Sequence, residues 1–573
     1  MRKTARRLSL LWLCVAALPL PAQMTTDQKL LDFQQLAALY AKQYAPYEWK
    51  RDALRFDLLQ LGPWLERITK STNDIEFLEI CAEYVTSLKD GHSQFFLPSN
   101  YSADSGLFLD AYDGRVFIDQ IDRRILPQSL YPLELGDEVL ALDGKAPAEW
   151  ARELSRFTPA GNARAAMRNA LDLMVFRPQS IYPGAHLTPD RSRIMVRHQN
   201  GLVEAFDIPW MKNGVPITAI GPVPPPFLRE QAGMNDGEDP SFEPRRRFRG
   251  FPELRKARIP FVRAVKGIGS IQPPYPAPTG FQQRLGRTTR DLLYSGTFQV
   301  SGSRLGLIRV GSFADPSNPF LGSQILSQFA SEITFMERNT DGLIVDVMRN
   351  PGGDFCMAQD LASMLMTGPF LMPGAEIRAT REWISRFEGL IEELTIFGAE
   401  KWVTDLLKAM LGDIRGAYSE NRGRTGPLPL CDLGLEVEPF RDNRGNRINY
   451  SKPLMLLVDD FTASAAEIFA SAVQDNQRGI VFGMPTMGAG GTVSFSPLPT
   501  GWYSETSATV TQSLLVRSRN IVTREYPMSP YIENIGIRPN VAGDLMTIDN
   551  LRGEGRVFVR AFSEAMISHI QKD

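Results

Sequence analysis

Residues 454–479 read LMLLVDDFTASAAEIFASAVQDNQRG, and the fold turns on them. Five uninterrupted apolar residues, Leu454–Val458, suit a strand buried on both faces, and two aspartates end the run. From Ser464 to 476 the spacing is helical. Ser464 and Glu467 have the spacing of a capping box, in which the two side chains satisfy free amides at a helix start. The same position, after a buried strand and at a helix N-terminus, offers N–H donors and partial positive charge to an oxyanion, with the Ala465 amide as one donor. On this stretch alone Ser464 is open to both roles.

The neighbouring sequence repeats the strand-then-helix plan. SRLGLIRV (303–310), DGLIVDVM (341–348) and RGIVFG (478–483) are further apolar runs, and helices fall at 320–337, 356–366 and 464–476. Alternation of this kind predicts a largely parallel sheet with covering helices. A segment at about 372–450 interrupts it with helices of its own, within WISRFEGLIEELTIFGAEKWVTDLLKAML. Two glycine-rich loops follow strands: VMRNPGGDF (347–355), whose Gly352 and Gly353 let backbone amides approach a ligand, and GMPTMGAGGTV (483–493).

Upstream, TTDQKLLDFQQLAALYAKQY and STNDIEFLEICAEYVTSLKDGH read as capped amphipathic helices. Gly91 is a candidate C′ stop, and His92 follows on a loop. Residues 105–210 alternate strands and turns, with helices near 148–156 and 162–175. Asn200-Gly201 favours a two-residue hairpin turn. Residues 211–290 are rich in Pro, Gly and mixed charge and read as a linker or mobile loop.

The chain of 573 residues is 43% hydrophobic and 22% charged, an ordinary globular composition, and a net charge of −2 gives no reason to expect a nucleic-acid partner. The first residues, MRKTARRLSLLWLCVAALPLPAQ, have the basic start, short apolar run and small-residue exit of a secretory signal, with cleavage expected after Ala22. Leu-Trp-Leu before Cys14 does not suit lipidation. No later segment is a clean membrane span, and the destination is periplasm or exterior. Cys81, Cys356 and Cys431 are scattered and predict neither a disulfide framework nor a metal motif. Four histidines in the whole chain argue against a multi-histidine metal site, so no metal and no organic cofactor is expected.

A nucleophilic serine needs a base. No lysine occurs between Lys452 and Lys572. Among the histidines, His198 falls in a hairpin strand, His569 in the terminal helix and His186 on a Pro/Gly loop. His92, on its glycine loop, is the best placed.

GLIVDVMRNPGG, then FTASAAEIFASAVQDNQRGIVFGMPTMGAGGTV, then YIENIGIRPNV resemble, in order and spacing, the catalytic core of the tail-specific, or C-terminal-processing, serine protease family. LELGDEVLALDGKAPAEW is similar to that family's PDZ segment. The resemblance implies an α/β multidomain protein: signal peptide 1–22, helical N-terminal region 23–100, PDZ-like domain 101–212, Pro-rich linker or regulatory loop 213–295, and an α/β (ClpP/crotonase-like) protease core 296–573. The family's common Ser–Lys dyad places lysine where this chain has Ala489, in Gly-Ala-Gly-Gly. The chain instead resembles the branch typified by chlamydial protease-like activity factor, which uses a Ser–His–Glu triad. By motif, Ser464 is then the nucleophile, His92 the base and Glu533, in YIENIG, the carboxylate that orients it, with Glu525 a rival outside the motif. The oxyanion hole falls to the Ala465 amide and one of Gly352 and Gly353.

These features imply an exported serine endopeptidase acting on protein or peptide substrates. A PDZ-containing peptide- or lipid-binding protein that kept the loops is the alternative. The PDZ-like module would present substrate tails or hold a homodimer. The 225–290 stretch is either a linker or, as in the resembled branch, a segment that masks the site before self-cleavage.

Overall fold

In the computed structural model, residues 23–220, 266–313, 321–431, 434–493 and 498–572 are described. The expected signal peptide and most of the expected regulatory segment lie outside them.

Four helices open the chain: α1 (Thr26–Gln43), α2 (Tyr47–Leu54), α3 (Gly62–Lys70) and α4 (Asp74–Thr86). The Thr25 hydroxyl and the Gln28 side chain cap α1 reciprocally. Phe33, Leu36, Ala37 and Tyr40 turn inward, while Leu31 stays exposed. Helix α4 ends earlier than expected. Ser87 is its C-cap and Lys89, at φ +50°, makes the left-handed turn. Gly91 is therefore not the helix stop. It is needed for close approach, because a Cβ there would lie 3.2 Å from Met487 Sδ and 3.3 Å from Ala489 Cβ.

An antiparallel five-stranded sheet follows, β1 (Leu107–Tyr112), β2 (Arg115–Ile121), β3 (Glu138–Leu142), β4 (Arg191–Arg197) and β5 (Val203–Pro209), in chain order. Helices α5 (Pro147–Leu154) and α6 (Ala163–Val175) accompany it. The β4–β5 turn is longer than the expected two residues. His198 and Leu202 are joined by a backbone hydrogen bond and Gly201 takes φ +89°, so Gln199–Gly201 is the loop.

The main sheet has seven strands in the order β6 (Gln282–Leu285), β7 (Tyr294–Val300), β8 (Ser303–Arg309), β9 (Gly342–Asp346), β10 (Leu454–Val458), β11 (Ile480–Gly483) and β12 (Val541–Ala542). β6–β7 and β7–β8 are antiparallel, and every later pair is parallel. The sheet thus begins upstream of the expected boundary at 296, within the stretch read as linker. All residues of β9 and β10 are buried, as a central parallel strand covered on both faces requires. Helices α7 (Leu321–Asn339), α8 (Phe355–Ser363) and α11 (Ala465–Asp475) share one apolar core with this sheet, and α12 (Arg556–Ile570) packs with residues of β7–β11 in another. The insertion forms an antiparallel helix pair, α9 (Arg381–Ile396) and α10 (Lys401–Ser419), with its own apolar cluster.

One covalent link departs from the sequence reading. Cys356 and Cys431 form a disulfide across 75 residues, tying the first turn of α8 to the far end of the insertion. Their separation in sequence hid the pair, and the fold brings their Cα atoms to 5.2 Å.

Buried ion pairs join the PDZ-type sheet to the core. Arg168 of α6 donates to both oxygens of Asp110, at 2.8 Å each, and to Asp460 at 2.7 Å. Lys266 lies 3.1 Å from Asp172 and donates to Leu109 O at 2.9 Å. The N-terminal helices clasp the chain's last third: Tyr40 Oη donates to Thr509 O, and the Ala45 N–H to Thr511 O. Residues from the amino-terminal region thereby reach the carboxyl edge of the main sheet.

Candidate active site

β9, β10 and β11 are adjacent and parallel, so the loops leaving them lie side by side. Ligands of open α/β sheets gather at this edge. Cross-bonds fix the three loops. The Arg349 N–H donates to Asp459 Oδ1 (2.8 Å), the Ala463 N–H to Asn350 O (3.0 Å), and the Met487 N–H to Thr462 O (3.0 Å).

Ser464 stands between Thr462-Ala463 and α11 at φ 56°, ψ −121°. A non-glycine residue there is strained, and such strain collects at functional turns. Its hydroxyl makes no side-chain cap bond. Glu467 supplies its half of the expected box by accepting the Ser464 N–H at 3.0 Å. The same buried carboxylate accepts Thr486 Oγ1–H (2.5 Å) and the N–H groups of Gly488 (2.7 Å) and Ala489 (2.9 Å). Burial pushes its pKa up to about 7 against those four donors. Glu467 thus binds the serine turn to the glycine loop, a role the cap spacing alone did not reveal.

Gly352 lies directly over the serine. A Cβ on it would sit 2.6 Å from Ser464 Cβ and 2.9 Å from Ala465 N, and its φ is +97°. Its N–H donates to Asn350 Oδ1 (2.8 Å). Among the described residues, the Gly353 and Ala465 N–H groups have no acceptor.

His92 enters on the loop after α4. Asp90 Oδ1 accepts its N–H (2.8 Å), and its carbonyl accepts Thr509 Oγ1–H (2.7 Å). The imidazole Nδ1 is buried with no hydrogen-bond partner. Burial lowers the His92 pKa, with Lys50 acting in the same direction and Asp90 against them.

Glu533 follows the short strand Ser529–Tyr531 and is wholly buried. One oxygen accepts the Gly490 N–H at 2.8 Å. The other is ion-paired with Lys50 Nζ of α2, also wholly buried. Burial first, then the charge of Asp90, push the Glu533 pKa up to about 8, while Lys50 and the Gly490 N–H pull it down. Glu525 is exposed and reaches Arg538 at 3.4 Å.

Ser464, His92 and Glu533 therefore surround one loop, 487–491, through Met487, Gly91 and Gly490. No hydrogen bond joins Ser464 to His92 or His92 to Glu533. Lys50, Asp90 and Asn534 are the residues that sequence reasoning missed, and Glu467 was read only as a cap. Asp90 and Asn534 stood inside the quoted DGH and YIENIG segments, whereas nothing near Lys50 pointed to a partner 483 residues away. Among the described residues, no three His, Cys, Asp or Glu side chains are grouped to hold a metal ion, and no helix is long and apolar enough to cross a membrane.

Residues 304–541 match the family model for Peptidase family S41, and residues 107–214 the model for a PDZ domain. A protein of Chlamydia pneumoniae is 25% identical over 565 residues, spanning 90% of this chain and 86% of its own length. The carboxyl-terminal-processing peptidase 2 of Arabidopsis thaliana chloroplasts is 33% identical over 111 residues, 19% of each chain. The crystal structure of mature CPAF (Chlamydia protease-like activity factor) superposes with a TM-score of 0.73 at 21% identity, covering 96% of this chain and 98% of the other, a likeness of fold. Residues 304–541 are thus a domain of the Peptidase family S41 type beside a PDZ domain, and with them this chain is a serine-type peptidase.

Proposed function

We propose that the protein is an exported serine endopeptidase with Ser464 as nucleophile, His92 as base and Glu533 as the carboxylate behind the imidazole. The observation that carries this reading is the serine turn. Ser464 is held at a strained φ with its hydroxyl free of any cap bond, and the Ala465 and Gly353 N–H groups beside it have no acceptor. Those two amides form the oxyanion hole of the proposal. Gly352 N–H is spent on Asn350, and Gly352 serves by leaving room.

In the reaction, His92 removes the Ser464 proton as Oγ attacks the peptide carbonyl carbon. The two amides hold the oxyanion. His92 then gives its proton to the departing amine, which leaves the acyl ester on Ser464. Water, deprotonated by His92, attacks that ester, and His92 returns the proton to Ser464 Oγ as the carbon–Oγ bond breaks and the acid product leaves. Glu533 stabilises the imidazolium. The reading requires His92 to bond Ser464 and Glu533 once substrate is bound, as catalytic hydrogen bonds commonly tighten only then.

Export rests on the signal-like 1–22 segment and is supported by the Cys356–Cys431 disulfide, which suits an oxidising compartment. The PDZ domain would take extended peptide ends by strand addition, and a homodimer and self-cleavage within 213–295 belong to the same proposal. The deciding experiment is labelling with a fluorophosphonate probe together with hydrolysis of casein. Wild-type protein reacts and cleaves, and Ser464→Ala does neither. Labelling of Ser464→Ala at the wild-type rate removes Ser464 from the role. Peptide binding without cleavage by the wild type, undiminished in His92→Ala, replaces the enzyme with a binding protein.

A further inference from the structure

The Lys50 side chain has no exposed surface. Its ammonium donates to Lys89 O (3.0 Å), to Asn534 Oδ1 (2.7 Å) and to Glu533, so its three N–H donors have three acceptors. The acceptors come from two segments: the turn after α4 that leads to His92, and the successive residues Glu533 and Asn534. Asn534 in turn donates to Lys89 O (2.8 Å) and Gly161 O (3.0 Å).

A lysine buried this deeply is costly unless its partner is an anion, and a packed apolar residue commonly serves stability better. The cation's place is explained by what it faces. The charged and titratable groups acting on Glu533 from the surrounding elements are Lys50 of α2, Tyr44 between α1 and α2, Asp90 of the His92 loop, and Tyr526. Lys50 is the one cation among them. It is also the charge that works with burial to keep the His92 imidazole neutral.

Resting on the assignment of Glu533 to the imidazole, we infer that Lys50 is a positioning residue for the reaction, an internal counter-ion that opposes burial in favour of the charged Glu533 carboxylate and holds it in one orientation between α2 and the Gly490 amide. Lys50 acts through Glu533 and touches no substrate. With one oxygen tied to Lys50 and the other to Gly490, rotation of the carboxylate is blocked, and the lone pairs that remain are the ones offered to His92.

The test is the pH dependence of kcat and KM for peptide hydrolysis by Lys50→Met and Lys50→Arg in the full chain. Loss of the cation frees burial and Asp90 to push Glu533 further up and lets His92 rise, so both changes move the acid side of the profile to higher pH. For Lys50→Met the expected result is an alkaline displacement of about one pH unit or more. That is about a tenfold loss of kcat at pH 7, shrinking as pH rises, with KM within about twofold. Lys50→Arg keeps the charge and is expected to keep the position of the profile even if its maximum falls. If Lys50→Met does not fold, Lys50→Gln, which keeps donors without the charge, is read in the same way. An unmoved profile in the uncharged variant, or an equal loss at every pH, overturns the inference. So does a displaced profile in Lys50→Arg. Glu533→Gln separates the two layers. Wild-type rates in that variant refute the Glu533 assignment itself, whereas a slow Glu533→Gln beside an unmoved Lys50→Met refutes only Lys50.

Discussion

Replacing Gly352 with alanine tests whether the serine turn is as closely built as the structure indicates. The added Cβ would lie 2.6 Å from Ser464 Cβ, 2.8 Å from Ala463 O and 2.9 Å from Ala465 N. None of these is the end of a flexible chain, so none can swing away. Carbon atoms in contact prefer about 3.5–4.0 Å, so the turn has to move by about 1 Å. The backbone adds to this, since φ +97° is a left-handed value that costs an L-residue about 1–2 kcal/mol. Overpacking adds about 1–3 kcal/mol, for a total of about 2–5 kcal/mol. At roughly 2–4 °C per kcal/mol, the core is expected to melt about 4–20 °C lower. A 1 Å misplacement of reacting groups costs about 10²-fold in rate, and kcat/KM should fall at least that far. The assays are scanning calorimetry and hydrolysis of an internally quenched peptide. Gly445→Ala is the control, because Gly445 has a positive φ of +80° but nothing within 4 Å of its added Cβ. It should show the backbone cost without loss of rate. A Gly352→Ala protein with wild-type melting and kcat/KM within threefold of wild type would refute the close packing argued for Gly352 and Ser464.

Arg168→Met removes the nearest counter-charge of buried Asp110 and Asp460, leaving Lys266 and Arg164 at 3.4 Å from them, and urea denaturation should show a loss of about 3 kcal/mol; a loss below about 1 kcal/mol contradicts the role given to that cluster. Cys356→Ser opens a covalent loop spanning 75 residues, worth about 4 kcal/mol, and should lower the melting temperature in the absence of reductant; identical melting of the variant and the oxidised wild type counts against the bridge. The folded pKa of Glu467 is raised to about 7 from an ordinary 4.5, so its contribution is fully present below pH 4.5 and is lost as pH rises through 7. Glu467→Gln should remove that dependence, so its melting temperature relative to wild type rises between pH 5 and pH 8. A constant difference across that range would show that Glu467 does not titrate there.

How much of this was legible in the sequence depends on where each partner lies. β8–β11 were readable because a strand covered on both faces must be a continuous apolar run, and the loops after β9, β10 and β11 follow from it. β6 was not readable. Its sequence QQRL is at the sheet edge, only half-buried on alternate residues, and carries no apolar run. Ser464 was visible as a helix start, and its spare hydroxyl was not, because that depends on a backbone φ that no spacing encodes. His92 was singled out as a loop histidine. Its neighbours Thr509 and Lys50 come from segments far away in the chain. The motif carried Glu533 but not the fact that burial presses its carboxyl toward neutrality. The disulfide escaped for the same reason as Lys50: both are long-range pairs that only tertiary packing brings together.

Ala489 is 1% exposed, its N–H is bonded to Glu467, and its methyl group would lie 3.3 Å from a Cβ added to Gly91. This is the position where the commoner members of the family are expected to keep a lysine. Here the segment bearing the imidazole passes beside it at Gly91. Bulk added at either place would press on the other, so positions 91 and 489 are coupled through that contact.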